Sequence, residues 1–188
     1  QVPPEPFHMV RRVVEGDLGA SLESVFATFD REPIAAASIA QVHGATLHDG
    51  TQVVVKVQRQ TVDELVHKDL KVMAWLSPFL VGRIPVASLA NPPALDEVFA
   101  HTISEELDFR VEAANMTDVA KVFADLEQRQ FIVPRPHPEL VTRRVLVMER
   151  LDGFRFDDME RYEEHGVDTH AIVRASMIGF MEGALIHG

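Results

Sequence analysis

Lys56 is the residue whose surroundings most clearly suggest chemistry, because it interrupts an apolar stretch. Residues 53–57 read V-V-V-K-V, and their β-branched composition is typical of a strand that is covered on both faces. An ammonium group in such a strand is costly unless an acid pairs with it or its end reaches solvent. The segment therefore predicts either a functional lysine with an acidic partner or a lysine that reaches solvent at a strand edge.

A run of small residues precedes the lysine strand. Residues 35–42 read A-A-A-S-I-A-Q-V, whereas the phosphate loop of protein kinases has the pattern G-x-G-x-x-G-x-V. Small residues let backbone N–H groups approach phosphate oxygens, but alanine takes a positive φ less readily than glycine. We therefore predict a stiff, partly helical phosphate loop, with an ordinary helix or core segment as the alternative. Its candidate nucleotide-binding residues are Ala35, Ala36, Ala37, Ser38 and Val42.

Several acidic residues could pair with Lys56, and all of them fall in one predicted helix. In a regular helix Glu105, Asp108 and Glu112 share one face, at spacings of three and four residues. A solvated acidic face is the alternative interpretation. Spacing alone does not choose between Glu106 and Glu112 as the partner.

A later apolar segment ends in a linker that contains glycine. Residues 145–149 read V-L-V-M-E, and Gly153 follows. A strand that runs into such a linker is where a kinase hinge holds adenine through backbone hydrogen bonds, which makes Met148 and Glu149 candidate nucleotide-binding residues. An ordinary strand and turn is the alternative.

The elements that must position these residues segregate along the chain and do not alternate as βαβ units. Strands are predicted at residues 40–46, 51–58, 131–133 and 145–148, and the turn sequence H-D-G at 48–50 predicts a hairpin between the first two. Helices are predicted at 61–77, at 94–126 and from Asp168 or Thr169 to His187, and residues 7–29 read as short, partly helical structure. This order predicts an α+β fold with an antiparallel sheet.

Composition excludes several other classes of protein. The 188 residues include 46% hydrophobic residues and no cysteine, so the chain can bury a core and has neither disulfides nor thiolate metal sites. A formal charge of −11 argues against a nucleic-acid partner. No histidine spacing is typical of a metal site, and we expect no metal ligands here. The apolar segment 72–90 is interrupted by proline, glycine and arginine, so we expect a packed helix end, with lipid contact as the alternative.

Taken together, these motifs resemble the UbiB/AarF family of atypical protein-kinase-like proteins. Residues 33–43, P-I-A-A-A-S-I-A-Q-V-H, resemble the alanine-rich loop of that family, and residues 55–59, V-K-V-Q-R, resemble its lysine strand. Residues 106–115, E-L-D-F-R-V-E-A-A-N, resemble its ExD motif and helix glutamate, and residues 148–153, M-E-R-L-D-G, are similar to its hinge. The resemblance covers essentially the whole chain.

The resemblance implies roles for these residues. Lys56 would bind nucleotide phosphates and pair with Glu112, whereas Glu106 and Asp108 would form the ExD element. The fold would be a protein-kinase-like N-lobe, with an N-terminal extension at 1–30, the lobe at 31–150, and a hinge and first C-lobe helix at 151–188. ATP and Mg²⁺ would be the cofactors, and we expect the catalytic loop and the metal ligands beyond Gly188, so no catalytic residue is expected within this chain.

The resemblance also implies a cellular setting. The parent protein would be an atypical kinase or ATPase that supports isoprenoid-quinone biosynthesis or lipid homeostasis, with ATP or ADP, lipid or quinone precursors and quinone-biosynthesis proteins as partners. It would be cytoplasmic, and peripheral to or anchored in the inner membrane through other regions. Two alternatives stay open: a nucleotide-gated regulatory module without catalysis, and a small-molecule phosphotransferase of the same superfamily. A plain helix–sheet scaffold is a third.

Overall fold

The computed structural model describes residues 3–60, 62, 68, 71, 72, 107–154 and 158–186. Within these ranges the chain has the predicted α+β architecture, with one antiparallel sheet. The strands of this sheet are β1 (Phe26–Phe29), β2 (Ala35–Ala36), β3 (Ala40–Leu47), β4 (Gln52–Gln58), β5 (Pro136–Val141) and β6 (Val145–Glu149).

Helices within the described ranges lie before, between and after these strands along the chain. They are α1 (Phe7–Leu18), α2 (Leu22–Val25), α3 (Phe109–Asp125), α4 (Met159–Glu164) and α5 (Thr169–Ile186). The predicted start of α5 is confirmed, because the Asp168 side chain accepts a hydrogen bond from the Ala171 N–H at 3.0 Å. None of these helices is long and apolar enough to cross a membrane.

The strands run in the order β1-β3-β4-β6-β5, and β2 pairs with β3 outside this path. The predicted hairpin between β3 and β4 is confirmed, with Gly50 at its turn adopting a φ of 88°. A positive φ is strained for residues that carry a Cβ, so glycine suits this position. The central strand β4 is therefore hydrogen-bonded on both sides, to β3 and to β6.

Alternating side chains of β4 face two different helices. Val53, Val55 and Val57 are at most 2% exposed and pack in the core that α1 covers. Lys56 points to the opposite face, where its sheet neighbour Leu146 packs in a second buried cluster with residues of α3. The strand is thus covered on both faces, as its composition predicts, and the lysine lies on the side of α3.

The N-terminal residues are part of the same packed unit as the sheet. Helix α1 buries Val10, Val13 and Val14 against β4 and β6, and β1 forms an edge of the sheet by pairing with β3. The sequence predicts only partly helical structure for residues 7–29 and does not identify β1. The four residues of β1 are too few for a period-two pattern to stand out.

The predicted single helix over residues 94–126 is wrong at its centre. Helix α3 begins at Phe109, because Asp108 is extended, with a φ of −106° and a ψ of 102°, and its side chain caps the Arg110 N–H. Asp108 therefore precedes α3, so the predicted helical face through Asp108 and Glu112 is wrong as well, and Glu105 lies outside the described residues. Residues 94–106 lie outside the described residues, as do most of the predicted helix at 61–77 and of the apolar segment 72–90.

The predicted strand at residues 131–133 is also wrong. These residues have no regular structure, and the strand β5 begins five residues later, at Pro136. Pro136 and Pro138 are tolerated there because β5 is the edge of the sheet, where one side of the strand needs no partner for its N–H groups. The sequence does not identify β5, because prolines are depleted in strands and only the edge position permits them here.

The carboxylate of Asp17 ties α1 to the turn between β5 and β6. Oδ1 accepts from Arg144 Nε at 2.8 Å, and Oδ2 accepts from Thr142 Oγ1 at 2.8 Å and from the Arg144 N–H at 3.1 Å. Burial raises the pKa of Asp17, but the hydrogen bonds from Arg144 and Thr142 outweigh it and hold the pKa below its ordinary value of 3.8.

We expect Asp17→Asn to lower the free energy of unfolding by about 1–3 kcal/mol at pH 7, because it removes the charge of a hydrogen-bonded, mostly buried carboxylate. Since the pKa is lowered in the folded state, this stabilisation is present above the unfolded pKa and is lost as the pH falls below about 4. Urea unfolding of wild type and variant at neutral and acidic pH measures both effects. A gap between the two proteins that stays constant down to acidic pH would contradict this assignment.

Candidate functional site

Lys56 and Glu112 form an ion pair between the central strand and helix α3. Lys56 Nζ donates to both carboxylate oxygens of Glu112, each at 2.7 Å. The Lys56 side chain is 23% exposed and the Glu112 side chain 38%, so the pair lies at the solvent-facing edge of the interface between β4 and α3. Two donor contacts at this distance hold the ammonium group in one place, although solvent limits the stability that such a pair contributes to about 1 kcal/mol or less.

Phe109 places the glutamate opposite the lysine. Its ring is 1% exposed and packs with Ala40, Ala113 and Leu146, and its N–H donates to the Arg143 carbonyl at 3.0 Å. Glu112 is one helical turn further along α3, on the same side. The Lys56 ammonium also lies 4.8 Å from the centre of the Phe109 ring, a cation–π distance.

The alanine-rich segment forms a tight antiparallel hairpin, so the expected helical character is wrong. Ala35 pairs with Val42 and Ala36 with Gln41, and the Ala37 N–H donates to the Ala40 carbonyl at 2.9 Å. This hydrogen bond closes a turn, and none of its residues has a positive φ. Alanine is therefore compatible with every backbone conformation in this alanine turn (residues 37–40).

The tip of the alanine turn presents backbone donors. Ser38 and Ile39 are exposed, and within the described part of the chain their N–H groups make no hydrogen bond. Val42, at the end of the hairpin, lies beside Lys56 in the β3–β4 register. Free N–H groups and an ammonium group on neighbouring elements form a donor set that suits phosphate oxygens.

An apolar face continues from Lys56 along the sheet. In the register Val42 neighbours Lys56, Val54 neighbours Met148, and all three apolar side chains are half-buried on the face that carries Lys56. A flat, partly open apolar surface beside phosphate donors suits the plane of a nucleotide base.

The predicted hinge residues are the last two residues of β6. Glu149 donates its N–H to the Arg135 carbonyl at 2.8 Å, and its carboxylate accepts from the Arg135 N–H at 3.3 Å. The Glu149 N–H is thus already used within the sheet. The irregular linker begins at Arg150, whose own N–H donates to the Gln52 carbonyl at 3.4 Å, and Leu151 in the linker is 43% exposed.

Asp108 serves as the N-cap of α3. It accepts from the Arg110 N–H at 3.0 Å and from Arg110 Nη2 at 2.6 Å, and this side-chain hydrogen bond holds the pKa of Asp108 below its ordinary value. Its predicted partner in the ExD element, Glu106, lies outside the described residues. The structure therefore gives Asp108 a capping contact and does not test the paired element.

His43 has a structural position in the sheet. It is fully buried, its Nδ1–H donates to the Asp30 carbonyl at 2.9 Å, and Nε2 lies 3.3 Å from the Gln41 amide nitrogen. Burial lowers the pKa of His43, although Asp30 and Glu32 act in the opposite direction. Among the described residues no cluster of His, Asp or Glu could hold a metal ion.

Two residues that contact this site carry no signal in the sequence. Phe109 reads as an ordinary apolar helix residue, and Arg59 as the charged end of a strand. In the fold, Phe109 supports the ion pair, and Arg59 donates to the Ala37 carbonyl of the alanine turn at 2.9 Å. Their roles depend on contacts with distant segments, which no local pattern reports.

Comparison with known proteins gives a consistent result. The family model of the ABC1 atypical kinase-like domain matches residues 1–188. An uncharacterised Mycobacterium tuberculosis protein is 36% identical over 192 residues, which cover 100% of this chain and 38% of that protein. The protein named "Probable protein kinase UbiB" of Pseudomonas aeruginosa is 37% identical over 177 residues, covering 92% of this chain and 32% of that protein.

A plant protein and a solved structure extend the comparison. The chloroplastic "Protein ACTIVITY OF BC1 COMPLEX KINASE 8" of Arabidopsis thaliana is 37% identical over 190 residues, with 100% of this chain and 25% of that protein covered. A Mycobacterium tuberculosis protein solved as an erythromycin complex matches with a TM-score of 0.71 and 33% identity, over 85% of this chain and 39% of that one. The chain thus spans between a quarter and two fifths of the length of these curated relatives.

Proposed function

Because the chain belongs to the ABC1 atypical kinase-like family, as its sequence motifs predict, we propose that it forms the ATP-binding lobe of a UbiB-like atypical kinase or ATPase. The observation that carries the proposal is the Lys56–Glu112 ion pair on β4, the strand that pairs with Ala40 at the end of the alanine turn, with each oxygen of Glu112 2.7 Å from the ammonium group. In kinase-like enzymes such a pair orients the lysine that binds the nucleotide phosphates.

The described residues suit the chemistry of a nucleotide. Lys56 and the free N–H groups of Ser38 and Ile39 would hold phosphate oxygens, and Val42 and Met148 would contact the base. These groups place a phosphate chain and reduce its charge, and phosphoryl transfer depends mainly on such positioning and neutralisation. Mg²⁺ would supply further charge neutralisation, and we place its ligands in the part of the whole protein outside this chain.

The process in which the whole protein acts is a further part of the proposal. The resemblance to proteins named UbiB supports a role in isoprenoid-quinone biosynthesis or lipid homeostasis, with a lipid, a quinone precursor or another protein of that process as partner. We propose peripheral or anchored membrane association for the whole protein on the same basis.

Nucleotide titration of the full-length protein tests the proposal. We expect MgATP to bind in calorimetry with a dissociation constant in the micromolar range, about 8 kcal/mol of binding free energy, and to raise the melting temperature by mass action. The absence of both binding heat and a thermal shift would contradict an ATP-binding lobe. Binding without any release of phosphate or labelling of an acceptor would favour the regulatory module over the enzyme.

A further inference from the structure

Arg59 is a buried cation whose side chain has only backbone carbonyls as hydrogen-bond acceptors among the described residues. The residue is 9% exposed and directly follows β4. Nε donates to the Ala37 carbonyl at 2.9 Å, and Nη2 donates to the Pro3 carbonyl at 2.9 Å. A guanidinium group that is removed from water needs such partners, and the planar fork of arginine reaches two acceptors at once, which lysine cannot do in the same geometry.

The backbone of Arg59 adds a second contact to the same turn. Its N–H donates to the Ile39 carbonyl at 2.9 Å. One residue therefore holds the Ala37 carbonyl, which precedes Ser38, and the Ile39 carbonyl, and these contacts restrain the peptide planes 37–38 and 39–40. In a trans peptide the N–H points away from the carbonyl, so these contacts direct the N–H of Ser38, which follows the Ala37 carbonyl, away from Arg59.

Arg59 also connects the turn to the N-terminal segment Pro3–Glu5. Besides the Pro3 contact, the Glu5 N–H donates to the side-chain oxygen of Gln41, and a Glu5 carboxylate oxygen accepts from the Gln60 N–H at 3.3 Å. Gln41 pairs with Ala36 in the hairpin. The N-terminal segment is thus held next to the alanine turn by Gln41 of β3 and by Arg59 and Gln60, which follow β4.

We propose that Arg59 is a positioning residue that latches the N-terminal segment to the alanine turn and orients the Ser38 N–H of the turn for the nucleotide phosphates. The nucleotide part of this inference rests on the proposed function, whereas the ordering of the turn does not. Because Arg59 is three residues from Lys56 on one chain segment, the same segment holds the ammonium group and the turn. A change at the N-terminal segment would reach the phosphate site through this side chain.

The test uses the full-length protein with Arg59→Gln, Arg59→Lys and the matched control Arg11→Gln. Arg11 is an exposed cation paired with Glu15 and Glu23, away from the turn. In hydrogen exchange without nucleotide, we expect the hydrogen-bonded amides of Ala37 and of residue 59 to exchange about tenfold faster in Arg59→Gln, as expected for the loss of a charge-assisted hydrogen bond. The amides of Val55 and Val147 in the core should keep their wild-type rates.

The same variants are then titrated with MgATP. We expect about tenfold weaker binding for Arg59→Gln, a smaller loss for Arg59→Lys, which retains the charge and one contact, and wild-type affinity for Arg11→Gln. Wild-type exchange rates in the turn of both Arg59 variants would overturn the latch. Faster exchange with unchanged affinity would overturn the positioning role. If the wild-type protein itself fails to bind MgATP, the proposed function is wrong. Amide hydrogen exchange in the turn then still tests whether Arg59 holds the turn.

If Arg59→Gln does not fold, the Arg59→Lys variant tests the positioning role of Arg59. Core exchange at Val55 and Val147 reports whether each variant is folded, so a general loss of structure is distinguished from a local loosening of the turn. A folded Arg59→Lys protein that matches wild type in both turn exchange and affinity would count against the proposal.

Discussion

Lys56→Met in the full-length protein is expected to weaken MgATP binding by about 50-fold. The ammonium group held by Glu112 is a charged donor on the strand that pairs with Ala40 of the alanine turn, and the loss of a charged hydrogen bond to phosphate amounts to about 2–3 kcal/mol. Methionine keeps much of the length and apolar character of the side chain. Isothermal titration of wild type and variant measures the difference.

The stability of the same variant separates a binding role from a structural one. Since the ion pair is partly exposed, at 23% and 38% for the two side chains, its loss should change the free energy of unfolding by about 1 kcal/mol or less. Lys121→Met is the matched control, because Lys121 is exposed on α3, the helix that also carries Glu112. Equal ATP affinity in wild type and Lys56→Met would remove the main support for an ATP-binding lobe and favour a plain scaffold.

The second large effect is expected at Phe109. Phe109→Ala should lower the free energy of unfolding by about 3–5 kcal/mol, because a ring that is 1% exposed leaves a cavity among Ala40, Ala113 and Leu146. The ring also supports the Lys56 ammonium at 4.8 Å. We therefore expect weaker nucleotide binding together with the loss of stability.

Urea unfolding of the full-length protein, followed by circular dichroism, measures this change. Val111→Ala is the control on the same helix, since Val111 is 41% exposed and should cost about 0.5 kcal/mol or less. A Phe109→Ala protein that loses less than about 1 kcal/mol would show that α3 is not held against the sheet by this ring.

Several features could be predicted from the sequence because their causes are local. The β-branched residues around Lys56 predict its strand, and the glycine at residue 50, whose φ is 88°, predicts the hairpin. Asp168 predicts the start of α5 because its side chain can accept a hydrogen bond from the N–H of the third residue after it, Ala171. In each case the residues that determine the structure lie within a few positions of one another.

Other predictions were wrong where neighbours in space override local preference. The alanines at 35–37 favour a helix, yet two of them pair with β3. A strand was predicted at 131–133 and none at 136–141, yet an edge position accepts Pro136 and Pro138 in β5. The helical pattern across residue 108 is interrupted because the Asp108 side chain caps the next helix.

By itself the sequence determined the strands β3, β4 and β6, the small-residue turn, the lysine and the family to which these motifs belong, since composition and short spacing encode them. Spacing leaves Glu106 and Glu112 equally placed as partners of that lysine, and only the family resemblance implied Glu112. The tertiary structure shows the contact itself, across 56 residues of the chain. The structure alone also shows that Arg59 contacts Pro3, which is likewise 56 residues away along the chain. Contacts of this kind depend on how the sheet and α3 pack together, and no pattern within one segment contains that information.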